Sequence, residues 1–161
     1  MTTLPHSISP PPVTLFVVDD DEVDRETIVR SVEDMGLDNP VRTARDGEEA
    51  LAILRGDGAE PLRGQYLILL DLNMPRLNGK ACLARLRADE RTMDLPVIIL
   101  STSDSPEDIS DSYRLHASFY LVKPGDFSEL VEAFQSLREF WFEQAAQPDT
   151  EREESVAGPS D

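Results

Sequence analysis

Five short runs of apolar and β-branched residues recur along the chain, and stretches that suit helices separate them. The runs are Thr14–Val18, Val41–Ala44, Tyr66–Leu70, Val97–Leu100 and Phe119–Val122. The third and fourth runs are continuously apolar, which is typical of strands buried on both faces. Strands that alternate with helices are typical of a parallel sheet with helices on each side. The sequence therefore predicts an α/β fold with five strands.

Helix signals occupy three of the segments between these runs and the segment after the last run. Helical patterns cover Val23–Met35, the segment containing Ala50, Leu51 and Leu54, Gly79–Arg87 and Phe127–Glu143. The last of these places one apolar stripe on a single face, and the stripe consists of Leu130, Phe134, Leu137 and Trp141. Phe140 and Phe142 fall outside that stripe, so their rings are available either for packing at the helix end or for a partner.

Length and charge narrow the class of protein. A chain of 161 residues with 40% apolar types suffices for one domain with a single core. Its net charge of -17 would repel both a nucleic-acid backbone and an anionic membrane surface. One cysteine cannot form an internal disulfide, and no apolar run is long enough to span a bilayer. We therefore expect a cytoplasmic protein that binds neither nucleic acid nor membrane.

The composition changes at both ends of the chain. Residues 1–12 contain four prolines and few apolar side chains, and residues 143–161 contain six acids and one arginine. Segments of this kind bury too little apolar surface to fold. We expect a disordered leader over 1–12, one folded domain over 13–142 and a disordered acidic tail over 143–161, without an output domain after residue 142.

Polar residues follow four of the predicted strands, where parallel sheets bind ligands. They are Asp19, Asp20, Asp71, Ser101, Thr102 and Lys123. Clustered carboxylates repel one another unless a cation lies among them, and oxygen ligands favour a hard ion such as Mg²⁺. With a metal bound, Asp71 could act as a nucleophile towards phosphorus while Lys123 and Ser101 help to neutralise the phosphoryl oxygens.

These residues lie in four recognisable motifs. The motifs are Val17-Val18-Asp19-Asp20-Asp21, Asp71-Leu72-Asn73-Met74-Pro75, Leu95-Pro96-Val97 with Ser101-Thr102, and Val122-Lys123-Pro124. With them the chain resembles a response-regulator receiver domain over about residues 13–142. The resemblance implies a doubly wound, flavodoxin-like sheet of strand order 2-1-3-4-5 with helices on both faces. It also implies a signalling switch that accepts a phosphoryl group from a sensor histidine kinase.

The resemblance further implies roles for the acids. Asp71 would be the phosphoacceptor. The side chains of Asp20 and Asp71 and the backbone carbonyl of Asn73 would bind Mg²⁺, with Asp19 assisting through water. Asp21 is more simply read as a helix cap or a solvated acid than as a ligand.

The remaining site residues would bind the phosphoryl group and report its presence. By the same resemblance, Ser101 and Thr102 supply the switch hydroxyls, and Lys123 pairs with the phosphoryl group. A cis Lys123-Pro124 peptide would aim this lysine, and Tyr120 would be the aromatic side chain that rotates with the switch. Such a protein catalyses only its own phosphorylation and dephosphorylation, and its output is altered binding to a downstream protein that the sequence does not name.

A narrower likeness concerns the kinase partner. It involves the loop Gly56–Gln65, Leu100-Ser101-Thr102-Ser103, Ser112-Tyr113-Arg114-Leu115-His116 and Glu139-Phe140-Trp141-Phe142. In these segments the chain looks like the single-domain regulators paired with bacterial phytochrome kinases. In that group the long last helix forms a homodimer, which gives Phe140 and Phe142 a predicted contact.

Two other interpretations remain open from the residues. Asp19 and Asp20, taken alone, would serve equally well as a helix cap. An aspartate-nucleophile phosphatase of the haloacid dehalogenase type also uses Asp, Mg²⁺, a hydroxyl and Lys. That class places its nucleophile after the first strand with a second Asp two residues on, whereas here Asp71 follows the third strand and Asn73 cannot shuttle a proton.

Overall fold

A computed structural model of the protein describes residues 13–34, 36, 39–56, 65–123, 132 and 136. The strands are β1 (Thr14–Val18), β2 (Val41–Ala44), β3 (Tyr66–Leu70), β4 (Val97–Ser101) and β5 (Phe119–Val122). The helices are α1 (Glu22–Asp34), α2 (Gly47–Arg55), α3 (Gly79–Ala88) and α4 (Pro106–Arg114). Over these ranges no helix is long and apolar enough to cross a membrane.

The five strands form one parallel sheet in the order β2-β1-β3-β4-β5. The predicted fold class and strand order are therefore confirmed. Because all strands run in the same direction, their carboxyl ends lie along one edge of the sheet. The register pairs Val18 with Leu70 and Leu70 with Ile99, so the residues that follow β1, β3 and β4 emerge side by side.

Alternate side chains of the central strands pack on opposite faces of the sheet. On one face, Phe16, Ile68 and Ile99 form a buried cluster with residues of α2 and α3 such as Leu51 and Leu83. The other face carries a second cluster, which contains Leu15, Val17, Leu67, Leu69, Ile98 and Leu100 together with Ile28 and Val32 of α1. Burial on both faces explains why β3 and β4 read as continuous apolar runs.

Helix α4 connects β4 to β5. Ser105 caps α4 by accepting a hydrogen bond from the backbone N–H of Asp108, and Pro106 occupies the first turn, where a missing N–H costs nothing. The predicted helix Phe127–Glu143, the segment 143–161, residues 1–12 and Pro124 lie outside the described residues, apart from 132 and 136, which are helical. The predictions of a cis Lys123-Pro124 peptide and of a dimer contact at Phe140 and Phe142 therefore stay predictions.

Arg87 joins three segments at the opposite end of the sheet from the carboxyl-end edge. Its guanidinium donates to the backbone carbonyls of Met93 at 3.0 Å, Leu95 at 2.7 Å and His116 at 2.8 and 3.2 Å. His116 has a left-handed φ of 67°. Without this side chain the three carbonyls lose charge-assisted donors.

We expect Arg87→Met, which keeps the apolar stem, to lower the free energy of unfolding by about 2 kcal/mol. The measurement is a urea titration followed by circular dichroism. Arg85→Met, an exposed change in the same helix, is the control and should leave the midpoint within experimental error. Equal midpoints for both variants would contradict a stabilising role for Arg87.

Candidate functional site

Three carboxylates meet at the carboxyl-end edge of the sheet. One oxygen atom from each of Asp19, Asp20 and Asp71 lies within 4.8 Å of the others. The backbone N–H of Asp71 donates to the carbonyl of Val18 at 2.9 Å, which continues the β1–β3 ladder into the site. Asp19 and Asp71 are only 2% and 7% exposed, whereas Asp20 faces solvent. The sheet therefore fixes two buried acids beside an accessible one.

Lys123, at the end of β5, brings the single ammonium that the structure shows in contact with these acids. Its Nζ lies 2.7 Å from Oδ2 of Asp19 and 3.8 Å from Oδ1 of Asp71. A further contact at 2.7 Å reaches Oδ2 of Asp24, in the first turn of α1. The backbone N–H of Lys123 donates to the carbonyl of Ser101 at 2.7 Å, so β4 holds the end of β5 in place.

Burial shapes the protonation of these groups. It raises the pKa of Asp71 to about 6, although the Lys123 ammonium acts in the opposite direction. The pKa of Asp19 is raised for the same reason, again against the effect of Lys123. Burial alone would lower the pKa of Lys123, but its hydrogen bonds to Asp19 and Asp24 outweigh that effect and raise it. The site holds more negative charge than one ammonium neutralises.

This arrangement suits a divalent cation. The donors are oxygen atoms, which hard cations prefer, and Asp20 leaves one side of the cluster open to water. Asn73 lies exposed two residues beyond Asp71, on the same loop. The carboxylate cluster therefore fits the carboxylate ligands that the sequence predicts.

Hydroxyl residues at the end of β4 and in the loop that follows it form a connected group. Ser101 is fully buried, and its Oγ accepts a hydrogen bond from the N–H of Ser103 at 3.2 Å. The hydroxyl of Tyr120 donates to the carbonyl of Ser103 at 2.7 Å. The Oγ of Ser103 in turn donates to Asp108 of α4 at 2.6 Å, while Thr102 faces solvent. Ser103 thus links the buried serine to β5 and to α4.

The loop after Asp71 returns close to its own starting point. The N–H of Gly79, the first residue of α3, donates to the carbonyl of Leu72 at 2.8 Å. A Cβ atom at position 79 would stand 2.2 Å from the carbonyl oxygen of Asp71 and 2.7 Å from Cα of Leu72. Only glycine allows this approach, so Gly79 fixes the path of the loop that follows Asp71.

Sequence reasoning missed two residues of the site. Asp24 escaped because the search was limited to strand ends, although its place about one helical turn after Asp20 could have indicated it. Ser103 was noted only as part of a longer motif. Asp21 has the capping role predicted for it, since its Oδ1 accepts from the N–H groups of Val23 and Asp24 at 2.8 and 3.1 Å.

Comparison with known proteins identifies the family of this chain. Residues 15–135 match the response regulator receiver domain family. The chain belongs to that family. The receiver fold and the role of a two-component response regulator, both implied by the sequence, are thereby confirmed, and the comparisons give the phosphatase alternative no support.

Individual receivers resemble this one over most of its length. Response regulator Rcp1 of Synechocystis sp. is 32% identical over 141 residues, which cover 87% of this chain and 96% of Rcp1. The phosphorylated cyanobacterial phytochrome response regulator RcpA has a crystal structure that is 34% identical, covers 86% of this chain and 99% of its own, and superposes with a TM-score of 0.76. The Mn²⁺-bound form of Rcp1 is 31% identical, with coverages of 85% and 99% and a TM-score of 0.77.

Proposed function

We propose that this receiver accepts a phosphoryl group from a sensor histidine kinase on Asp71 and signals by altered binding to another protein. The carrying observation is the position of Asp71, whose buried carboxylate lies beside an ammonium and within 4.8 Å of two further acids. A nucleophilic carboxylate, a fixed cation and further oxygen ligands are what phosphoryl transfer to an acid requires.

The transfer exchanges one bond to phosphorus for another. An Oδ atom of Asp71 forms a new O–P bond, the P–N bond of the kinase's phosphohistidine breaks, and the imidazole leaves with the electron pair and takes up a proton. Lys123 offers its ammonium to the phosphoryl oxygens, and Ser101 offers its hydroxyl. Water later attacks the same phosphorus, which releases inorganic phosphate and restores the carboxylate. This self-directed turnover is the only catalysis that we assign to the chain.

Mg²⁺ is the cofactor proposed for both steps. The side chains of Asp20 and Asp71 and the backbone carbonyl of Asn73 would hold it, with Asp19 assisting through water. When bound, the ion would supply positive charge that neutralises phosphoryl oxygens in the transition state. The Mn²⁺-bound form of Rcp1 and the oxygen donors here support a divalent ion of this class.

The conformational switch would involve the hydrogen-bonded residues Ser101, Ser103 and Tyr120. If Ser101 turns its hydroxyl towards a phosphoryl group, the N–H of Ser103 loses its present acceptor. Thr102 and Tyr120 would move with it, because Tyr120 is bonded to the same loop at Ser103. The receiver would then expose a different surface around α4 and β5 to its partner.

We assign the kinase to the phytochrome class on the strength of Rcp1 and RcpA, the latter a phytochrome response regulator. We further propose a folded domain over 13–142 between a disordered leader and tail, a homodimer with Phe140 and Phe142 in contact, and a cytoplasmic location. The net charge of -17 supports the absence of nucleic-acid and membrane binding.

The test mixes the protein with a phytochrome-type histidine kinase and radiolabelled ATP, with Mg²⁺ or with a chelator. Label should reach the wild type only when Mg²⁺ is present and should not reach Asp71→Asn. Asp104→Asn, an exposed acid after β4, is the matched control and should be labelled like the wild type. If Asp71→Asn became labelled, Asp71 would not be the phosphoacceptor. Steady hydrolysis of a small phosphate ester by the wild type would support the phosphatase interpretation instead.

A further inference from the structure

Lys123 also makes a short contact with a residue of helix α1, Asp24, which has no role in the proposed transfer. Oδ2 of Asp24 lies 2.7 Å from Nζ, as close as Oδ2 of Asp19 and more than 1 Å closer than Oδ1 of Asp71 at 3.8 Å. Asp24 is thus a primary partner of this ammonium in the resting protein.

The two main partners of Lys123 differ in their surroundings. The side chain of Asp19 is 3% exposed and that of Asp24 is 39% exposed, while that of Lys123 itself is 12% exposed. Asp24 therefore lies on the solvent side of the ammonium. Its backbone is fixed, because the N–H of Asp24 donates to the capping carboxylate of Asp21 at 3.1 Å. The first turn of α1 holds a second carboxylate in a defined place against the lysine.

The geometry limits what Lys123 can do for Asp71. An ammonium has three hydrogen atoms to donate, and two of them serve Asp19 and Asp24. The remaining distance of 3.8 Å to Asp71 is too long for a hydrogen bond. A phosphoryl group on Asp71 must therefore draw the ammonium towards itself or share it with Asp24, whose negative charge also repels the phosphoryl oxygens.

We propose that Asp24 is a positioning residue that restrains the Lys123 ammonium away from Asp71, and so limits how fast the site accepts a phosphoryl group and how long it keeps one. The proposal rests on the proposed function of Asp71. Without the carboxylate of Asp24, Lys123 keeps Asp19 as its partner and is free to approach the phosphoryl group. Asp71 should then gain a phosphoryl group faster and lose it more slowly. If Asp24 merely held Lys123 in a useful place, its loss would have the opposite effect on both rates.

The experiment compares Asp24→Asn, which keeps the shape of the side chain, with wild type. Acetyl phosphate and Mg²⁺ replace the kinase, and intact-protein mass spectrometry follows gain and loss of the phosphoryl group. We expect acceptance to rise and loss to slow by about threefold each, the range expected for one partly exposed ion pair. Glu22→Gln removes a charge from the same helical turn without touching Lys123 and should match the wild type in both rates.

A second readout needs neither metal nor phosphate. Reductive methylation of the metal-free protein, read by peptide mass spectrometry, should modify Lys123 about threefold faster in Asp24→Asn, because its amine has lost one of two close partners. Lys80, which is bound by Asp108 at 2.6 Å and Asp111 at 3.0 Å, is an internal reference and should react equally in both proteins.

The outcomes separate this proposal from the one it rests on. Acceptance slowed in Asp24→Asn, as in Lys123→Met, would overturn the restraint, and so would unchanged rates together with unchanged labelling of Lys123. If the wild type gained no phosphoryl group at all, the proposed function would fail, while the methylation of metal-free protein would still decide whether Asp24 holds the lysine.

Discussion

Asp71→Asn is expected to unfold at a higher denaturant concentration than the wild type when both are metal-free at neutral pH. Burial raises the pKa of Asp71 from the ordinary 3.8 to about 6, so the ionised carboxylate is held at a cost in the folded state. That difference corresponds to at most about 3 kcal/mol of stability, and we expect about 2 kcal/mol in practice. The neutral amide of asparagine avoids the cost and keeps the shape.

The pH dependence of this gain has a definite direction. Below pH 3.8 the carboxyl group of Asp71 is protonated in both the folded and the unfolded chain, so it does not lower the stability of the fold. Between 3.8 and about 6 the folded protein still holds the proton that the unfolded chain has lost, and the stability contributed by Asp71 falls as pH rises. The advantage of Asp71→Asn should therefore be full above about pH 6 and should disappear as pH falls towards 4.

Urea titrations across this pH range, with and without Mg²⁺, measure the effect. Asp104→Asn changes an exposed acid and should shift stability by no more than about 0.5 kcal/mol. Added Mg²⁺ should stabilise the wild type more than Asp71→Asn, because the variant has lost one of the proposed carboxylate ligands. A wild type more stable than Asp71→Asn at neutral pH without metal would refute the burial cost assigned to Asp71.

Gly79→Ala is expected to lower the free energy of unfolding by about 3 kcal/mol or more and to displace Asp71. Its new Cβ would stand 2.2 Å from the carbonyl oxygen of Asp71 and 2.7 Å from Cα of Leu72. Both of these atoms belong to the backbone, which cannot rotate away as a side chain could. The loop must therefore move as a whole. Thermal unfolding measures the loss of stability, and the phosphorylation assay measures the displacement.

Gly36→Ala is the matched comparison for this change. Gly36 has a left-handed φ of 72°, but among the described residues no atom lies within 4 Å of the position that its Cβ would take. Only backbone strain of about 1 kcal/mol is expected there, with phosphorylation unchanged. If both substitutions cost the same, the close approach at Gly79 would not be what fixes the loop.

The strand ends were predictable because their chemistry follows from pattern and direction. Continuous apolar runs fixed β3 and β4, and the parallel arrangement that they indicate brings Asp19 and Asp71 to one edge whatever the loops between them do. The same reasoning extended to Lys123, which contacts Asp19 across 104 positions of sequence. Position along a strand sufficed for all three.

Other parts of the site depend on distances that no local pattern contains. Asp24 contacts Lys123 only because α1 is rotated so that its first turn faces β5, and that rotation is set by the packing of Ile28 and Val32 on the sheet. Ser103 lies in an irregular loop, where hydrogen bonds rather than periodicity decide the course of the chain. Contacts of this kind, between a helix and a strand end or within an irregular loop, cannot be predicted from the sequence pattern alone.

The contact between Lys123 and Asp19 also has a bearing on how the protein is made. As the chain leaves the ribosome, Asp19, Asp20 and Asp71 are all synthesised before the residue that supplies their counter-charge. A nascent chain that stops short of β5 therefore carries mutually repelling acids on a sheet that lacks its last strand. Docking of β5 completes the sheet and brings the Lys123 ammonium against Asp19 and Asp71. Until that strand is in place, only protonation or a cation from solution can relieve the repulsion among these acids.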